Sequence, residues 1–345
     1  MNRPGTGLID VPEPLSHHFD VALTDMDGVL FRGNEPMVHA ADQVGRARQR
    51  GMKFIFVTNN ASRPPRLAAA KLGSMRIPAD RDDVITSAQS GVSLMAEHIP
   101  AGSGVMAVGG NGLTEAVTKA GFKLVTAAIE RPAAVIQGLS PALQWRDLEE
   151  AAYAIEAGAA YFATNLDKNL PTEFGFAPGN GAMVQALVVT TGVVPKASGK
   201  PHALIFHLAA ERGKAERPVV IGDRLDTDIR GANNAGYPGL LVLTGVSKAV
   251  DALMAGPAER PSLIARDLRA LSQPHQAPVR EGAYWVCGQA RSWVDGNRVV
   301  LEDAGSASDD AVVSEPALRA ALAAGWFAAD QGVLLDRESI PANLG

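Results

Sequence analysis

The sequence is poor in cysteine, and this scarcity excludes several classes of protein. Cys287 is the only cysteine among 345 residues, so the chain can build neither an internal disulfide framework nor a thiolate metal site. Basic runs with interleaved aromatic residues, which are typical of nucleic-acid binding, are also missing. No apolar stretch is long enough to cross a membrane, and residues 1–18 lack the apolar segment of a signal peptide. These absences favour a cytoplasmic protein that binds neither nucleic acids nor membranes.

The composition is that of a globular protein with more than one domain. Hydrophobic residues make up 46% of the chain and charged residues 20%, with a formal net charge of −5. A length of 345 residues exceeds what one typical core supports, so we expect two or three domains. Strand and helix patterns alternate along most of the chain, which predicts an α/β fold with a parallel sheet covered on both faces.

Two carboxylates directly follow the first buried-strand pattern. Val21 to Thr24 leads into Asp25 and Asp27, and Gly28 allows the backbone to turn tightly behind them. Open parallel sheets bind ligands at the carboxyl ends of their strands, so both side chains can point into one site. Carboxylates this close repel each other unless a cation lies between them. Mg²⁺ is the natural choice, because it prefers oxygen ligands and is usually bound together with a phosphate. The alternative is a surface turn, because Asp-Gly is a common turn-forming pair.

Three later motifs decide between these interpretations. Each follows an apolar run or opens a helix, and they occur in a fixed order: Thr58-Asn59-Asn60, Lys200-Pro201 and Gly222-Asp223-Arg224-Leu225-Asp226-Thr227-Asp228. Together with Asp-Met-Asp-Gly-Val-Leu at residues 25–30, they resemble the four motifs of the haloacid dehalogenase superfamily. The sequences of these motifs are similar to those of subfamily IIA, the 4-nitrophenylphosphatase-like and phosphoglycolate-phosphatase-like enzymes. The resemblance covers about residues 20–273.

The resemblance implies a division into domains. It predicts a Rossmann-like core of residues 19–86 and 195–273, with a large α/β cap domain inserted at 87–194. Residues 1–18 are expected to form a loose leader. Residues 280–345 are expected to form a small α+β extension, with a hairpin around Asp295-Gly296-Asn297 and a helix over Pro316 to Phe327. The resemblance gives this extension no role, and we interpret it as a structural or interface addition.

The chemistry of phosphoryl transfer assigns roles to the first motif. Asp25 suits the nucleophile because a carboxylate can form an aspartyl-phosphate, and Asp27 suits the general acid and then the base. The family gives both residues the same roles. The backbone N–H groups of Met26 and Gly28 can hold phosphate oxygens. Asp223 follows a strand and can bind Mg²⁺ beside Asp25 and the Asp27 carbonyl group.

The remaining candidate residues surround the phosphate and the substrate. In the family, the residue at Asp228 holds the motif lysine or a metal-bound water. The cap loop Gly179-Asn180-Gly181 matches the loop that covers the active site in the family, although it can equally begin a helix. Whether Arg224 and Asp226 contact the substrate stays open. We expect four further residues to bind the phosphate: Thr58, Asn59, Asn60 and Lys200.

The motifs together predict a Mg²⁺-dependent phosphomonoesterase that acts through phospho-Asp25 on a small phosphorylated metabolite. Similarity to actinobacterial glycerol-3-phosphate phosphatases implies glycerol 3-phosphate as the substrate. The alternatives are 2-phosphoglycolate, pyridoxal phosphate or a nucleotide. A phosphotransferase is a rival enzyme class, and a sensor that binds a phosphorylated metabolite without turnover is a rival outside enzymes. A homodimer also stays open.

Overall fold

The computed structural model describes residues 5–172, 174–303, 313–340 and 344. The predicted leader and extension therefore lie partly outside the described residues. The strands are β1 Val21–Thr24, β2 Phe31–Arg32, β3 Glu35–Pro36, β4 Lys53–Thr58, β5 Val84–Thr86, β6 Gly104–Val108, β7 Lys123–Val125, β8 Ala134–Gln137, β9 Ala160–Ala163, β10 Asn169–Thr172, β11 Gly175–Pro178, β12 Lys196–Ala197, β13 Pro218–Gly222, β14 Gly239–Val242, β15 Leu263–Ala265, β16 Val279–Glu281, β17 Tyr284–Cys287, β18 Ala290–Asp295 and β19 Arg298–Asp303.

The helices alternate with these strands through most of the chain. They are α1 Leu15–His18, α2 Ala40–Gln49, α3 Pro65–Ser74, α4 Ser87–Ala96, α5 Asn111–Lys119, α6 Trp145–Glu156, α7 Asn180–Thr191, α8 Leu204–Gly213, α9 Arg230–Ala235, α10 Ala249–Leu253 and α11 Glu315–Asp330. Within the described ranges, none of them combines the length and the apolar character needed to span a bilayer. The chain divides into two compact units, one of residues 1–54 with 214–345 and one of residues 55–213.

A parallel sheet organises the first unit. Its strands lie in the order β15-β14-β13-β1, and each neighbouring pair is parallel. All four residues of β1 and four of the five residues of β13 are buried, as expected for strands covered on both faces. β4 begins in this unit and ends in the second, where it pairs in parallel with β5. The predicted α/β class with a Rossmann-like parallel sheet is confirmed.

The second unit contains its own five-stranded parallel sheet. The order is β12-β9-β8-β6-β7, and the buried side chains of the three central strands alternate between two clusters. On β8, Ala134 and Ile136 join residues of α4 and α5, whereas Val135 joins residues of α6 and α7. This alternation follows from the period of two in a strand, and it covers the sheet with helices on both faces. The predicted boundaries at 86/87 and 194/195 stay a prediction.

The leader is not loose in the part that the structure describes. Val11 pairs with His275 in a short antiparallel bridge, and the Ile9 N–H donates to the Ser262 carbonyl at 2.9 Å. Val11 and Leu15 are buried. The expectation of a loose leader is therefore wrong for residues 5–18, because its apolar residues cover the edge of the core.

The extension, interpreted from the sequence as a structural or interface addition, is folded in the part that the structure describes. Strands β16 to β19 form an antiparallel sheet, and the predicted hairpin closes between Asp295 and Arg298. Its first strand is β18, which the sequence pattern did not pick out. Helix α11 packs against this sheet, and many of its residues are buried in one cluster with Ile229, Leu241 and Ile264. The extension is part of the core of the first unit.

The contacts of His275 predict that stability falls in acid. The Nδ1 atom lies 2.9 Å from the Ile9 carbonyl oxygen, and the Ile264 N–H lies 3.2 Å from Nε2, so the neutral ring satisfies both. Burial and the nearby Arg319 lower the pKa of His275 from 6.5 to about 4. Between pH 4 and pH 6.5 the unfolded chain binds a proton at His275 that the folded chain does not bind. The stabilisation of the fold by the neutral His275 ring is therefore complete above pH 6.5 and is lost as the pH falls towards 4. The full loss is about 3 kcal/mol.

Thermal unfolding between pH 8 and pH 4 measures this effect. We expect His275→Gln to unfold with a shallower pH dependence than the wild type over this window. Parallel pH curves for the wild type and His275→Gln would contradict the assignment.

Candidate active site

The end of β1 places Asp25 at the carboxyl edge of the sheet in the first unit. The Asp25 N–H donates to the Ile221 carbonyl at 2.8 Å, which extends the pairing of β1 with β13 by one residue. The chain then turns at Gly28, whose φ of +84° is a conformation that favours glycine. The Gly28 N–H donates to the Phe31 carbonyl at 2.7 Å, so this amide closes the turn. Asp25 is half-buried and Asp27 is exposed.

Three carboxylates converge beside this turn. Asp25, Asp223 and Asp228 each offer an oxygen, and these oxygens lie within 4.8 Å of one another. Asp223 and Asp228 are each only 1% exposed. Buried carboxylates in such proximity repel each other without a counter-ion, and a set of hard oxygen donors fits Mg²⁺. The cluster brings together two of the predicted metal ligands, Asp25 and Asp223, and adds the Asp228 side chain.

Three glycines make room for the buried carboxylates. A Cβ atom at Gly28 or at Gly245 would overlap the Asp223 carboxylate, and one at Gly222 would overlap Asp228. Gly222 stands directly before Asp223 in the sequence motif, whereas Gly245 lies in a loop that sequence reasoning did not connect to the site. The arrangement needs backbone without side chains on both sides of Asp223.

The fourth motif holds Asp228 through a helical turn. Leu225–Ile229 forms a π-helical turn after β13, a feature found often at functional sites. The Arg224 N–H donates to Asp228 Oδ2 at 3.2 Å, which orients the carboxylate towards the cluster. The Arg224 guanidinium binds both oxygens of the exposed Asp226, at 3.0 and 2.8 Å. Arg224 and Asp226, left open by the sequence, form an ion pair beside the cluster.

In the second unit, Asn59 connects the second motif to Lys200. The Asn59 side-chain oxygen accepts from the Lys200 N–H at 2.8 Å, and its Nδ2 donates to the Lys200 carbonyl at 3.0 Å. The same Nδ2 lies 3.0 and 3.1 Å from the two carboxylate oxygens of Asp167. Lys200 is 5% exposed. The structure therefore joins two predicted site residues and adds Asp167, which follows β9 closely and which the sequence analysis missed.

Asn60 shapes the turn that follows the second motif. Its Oδ1 accepts from both the N–H and the hydroxyl of Ser62, at 2.9 and 2.7 Å, and its own N–H donates to the Thr58 hydroxyl at 3.1 Å. Ser62 is therefore engaged in the turn, and α3 begins only at Pro65. Thr58 is buried and Asn60 is exposed.

The loop at residues 179–181 packs against the segment that carries Asp167. The Asn180 amide donates to the Asn165 carbonyl at 2.7 Å, and the Gly181 N–H donates to the Asp167 carbonyl at 2.8 Å. Asn180 is 1% exposed and begins α7, so the alternative of a helix start is correct for this position. A Cβ atom at Gly179 or Gly181 would overlap the backbone of this segment. The predicted contact of the loop with substrate stays a prediction.

Comparisons with known proteins agree with this arrangement. A sequence model of haloacid dehalogenase-like hydrolases matches residues 22–123, and a second, HAD-hydrolase-like model matches residues 197–271. The D-glycerol 3-phosphate phosphatase of Mycobacterium tuberculosis is 46% identical over 79% of this chain and 80% of its own length. The chain belongs to the haloacid dehalogenase-like hydrolases.

Two solved structures of phosphatases resemble this one. A glycerol phosphate phosphatase from M. tuberculosis in complex with magnesium has a TM-score of 0.81 and 39% identity, over 92% of this chain and 93% of that one. A 4-nitrophenylphosphatase from Thermotoga maritima has a TM-score of 0.69 and 26% identity, over 75% and 98%. The predicted superfamily, its subfamily IIA and the enzyme class, a phosphatase, are confirmed.

Proposed function

We propose that the protein is a Mg²⁺-dependent phosphatase that hydrolyses glycerol 3-phosphate through a phospho-Asp25 intermediate. The observation that carries the proposal is the convergence of Asp25 with Asp223 and Asp228 at the end of β1. The choice of substrate is supported by the relative that is 46% identical over four-fifths of both chains and acts on D-glycerol 3-phosphate.

The residues of the chain divide the reaction into two transfers. A carboxylate oxygen of Asp25 attacks phosphorus, the bond to the ester oxygen breaks, and Asp27 donates a proton to the departing alkoxide. Asp27 then takes a proton from a water molecule whose oxygen attacks the phosphorus of phospho-Asp25, the bond from phosphorus to the Asp25 oxygen breaks, and inorganic phosphate and the Asp25 carboxylate are released. Bound Mg²⁺, held by Asp25, Asp223 and the Asp27 carbonyl with Asp228 beside it, would neutralise phosphate charge.

The second motif and Lys200 complete the set of residues that we propose bind the phosphate group of the substrate. The Lys200 ammonium supplies positive charge, while the Thr58 hydroxyl and the Met26 N–H supply hydrogen-bond donors. Asn59 keeps Lys200 in place through its two hydrogen bonds to the lysine backbone. Asn60 holds the turn that presents Thr58.

The proposal predicts a ranking of substrates. We expect kcat/KM for glycerol 3-phosphate to exceed that for 2-phosphoglycolate, pyridoxal phosphate and nucleoside monophosphates by about tenfold or more, because pocket contacts each discriminate by 1–3 kcal/mol. Phosphate release with Mg²⁺ present measures the ranking. A different preferred ester would overturn the substrate but keep the phosphatase. Tight binding without any turnover would indicate the sensor, and transfer of the phosphate to an added alcohol would indicate the phosphotransferase.

A further inference from the structure

The Asp223 carboxylate lies in a slot between two stretches of backbone. One side is Gly28 in the loop after β1, and the other is Gly245 in the loop after β14. Because a Cβ atom on either glycine would overlap the carboxylate, the slot has no spare width. Whatever sets the separation of the two loops therefore also sets the orientation of Asp223.

The second side of the slot is a short turn, Thr244-Gly245-Val246-Ser247, here called the 244–247 turn. Its Val246 N–H donates to Asp223 Oδ2 at 2.7 Å, and its Ser247 N–H donates to the Asp223 carbonyl at 3.0 Å. The Ser247 hydroxyl accepts from the Leu225 N–H at 3.1 Å, which ties the turn to the start of the fourth motif. The turn thus holds both the side chain and the backbone of the metal-binding residue.

Thr244 joins this turn to the loop after β1, which carries Asp25 and Gly28. Its hydroxyl donates to the Gly28 carbonyl at 2.6 Å, directly across the slot. Its own carbonyl accepts from Arg32 Nη2 at 2.9 Å, and Arg32 lies on β2, just after the same loop. Two hydrogen bonds on one residue therefore fix the turn to the segment that carries Asp25 and Gly28.

We propose that Thr244 is a positioning residue for magnesium: its hydroxyl sets the width of the slot and so keeps the Asp223 carboxylate aimed at the metal. Thr244 acts through Gly28, whose carbonyl accepts its hydroxyl, and through Asp223, which lies in the slot. The proposal rests on the magnesium site of the proposed function, but it does not depend on which phosphate ester is the substrate.

Calorimetric titration of the substrate-free protein with MgCl₂ tests the proposal. Thr244→Val keeps the shape of the side chain but removes the donor, and we expect the Kd for Mg²⁺ to rise about tenfold, since groups that orient a metal ligand are worth 10- to 100-fold in affinity. Thr244→Ser restores the hydroxyl and should return the Kd to within about threefold of the wild type. Thr118→Val, which removes an exposed hydroxyl that donates to the Thr114 carbonyl within α5, is the matched control and should bind like the wild type.

Turnover adds a second readout that simple damage to the fold would not reproduce. For Thr244→Val we expect the Mg²⁺ concentration for half-maximal rate to rise about tenfold, while the rate at saturating Mg²⁺ stays within about threefold of the wild type. Arg32→Gln changes an exposed side chain and loosens the turn from its other bond, so it should shift the Kd in the same direction. It keeps the test available if Thr244→Val does not fold.

The outcomes separate this proposal from the proposed function. A wild-type Kd in folded Thr244→Val, or in Arg32→Gln if Thr244→Val does not fold, would overturn the positioning role and leave the phosphatase intact. A wild-type protein that binds no Mg²⁺ would overturn the metal site and the positioning role together. A preferred ester other than glycerol 3-phosphate would change the substrate alone.

Discussion

Asp25→Asn will remove turnover, by roughly 10⁴-fold or more in kcat/KM, while the protein stays folded. The carboxamide cannot attack phosphorus to form the acyl-phosphate, and the loss of a nucleophile costs orders of magnitude because the remaining groups act only together with it. The fold is expected to tolerate the change, since it takes one negative charge out of a cluster of three carboxylates. Thermal unfolding and hydrolysis of a small aryl phosphate measure the two effects.

Asp226→Asn is the matched control for this experiment. Asp226 lies in the same motif as Asp223 and undergoes the same chemical change, but its side chain is 58% exposed and bound by Arg224. We expect its kcat/KM to stay within about threefold of the wild type. Turnover of Asp25→Asn within tenfold of the wild type would remove phospho-Asp25 from the mechanism.

Trp326→Ala will lower the free energy of unfolding by about 3–5 kcal/mol, the cost of emptying the space of a large buried aromatic side chain. Trp326 is 3% exposed, and its Nε1–H donates to the Ala252 carbonyl at 2.9 Å. Arg260 lies over the ring at 5.4 Å and binds both oxygens of Asp330 at 2.7 Å. The variant should melt about 10 °C below the wild type.

Trp145→Ala removes the same kind of side chain from the surface, where it is 74% exposed, and should leave the melting temperature almost unchanged. Truncation after Gln273 should lower the free energy of unfolding by more than Trp326→Ala does. It removes the whole of α11, including Leu322, from the buried cluster that contains Leu253. A truncated chain that melts cooperatively at the wild-type temperature would show that the extension is not part of the core.

Residues that follow strands directly were predictable, and residues held by distant loops were not. Asp25 and Asp223 each come directly after an apolar run, so the rule that parallel sheets bind ligands at their carboxyl ends was enough to bring them together. Gly245 carries no such signal, since it contributes by leaving space beside a carboxylate 22 positions earlier. Asp167 lies beyond the end of β9, and its contact with Asn59 spans 108 positions.

The extension shows the same limit at the level of the fold. Its helix was visible in the sequence because apolar residues recur with helical spacing between Pro316 and Phe327. That pattern predicts that the apolar face of the helix is buried, but it does not indicate which part of the chain packs against this face. The leader was misjudged for a similar reason, since Val11 and Leu15 are isolated apolar residues in a stretch with proline, and only their partners near His275 give them a place.

The first unit is assembled from two separate parts of the chain, and this has a consequence for synthesis on the ribosome. Residues 1–54 emerge before residues 55–213, and the strands that flank β1 on one side, β13 to β15, emerge only after them. At bacterial and eukaryotic elongation rates the interval is roughly 10–30 s. During that time the loop after β1 already exists as nascent chain without β13 to β15, whereas the second unit is continuous in sequence and can fold as it is made. The clustered carboxylates of Asp25, Asp223 and Asp228 can therefore meet only after translation has passed the fourth motif.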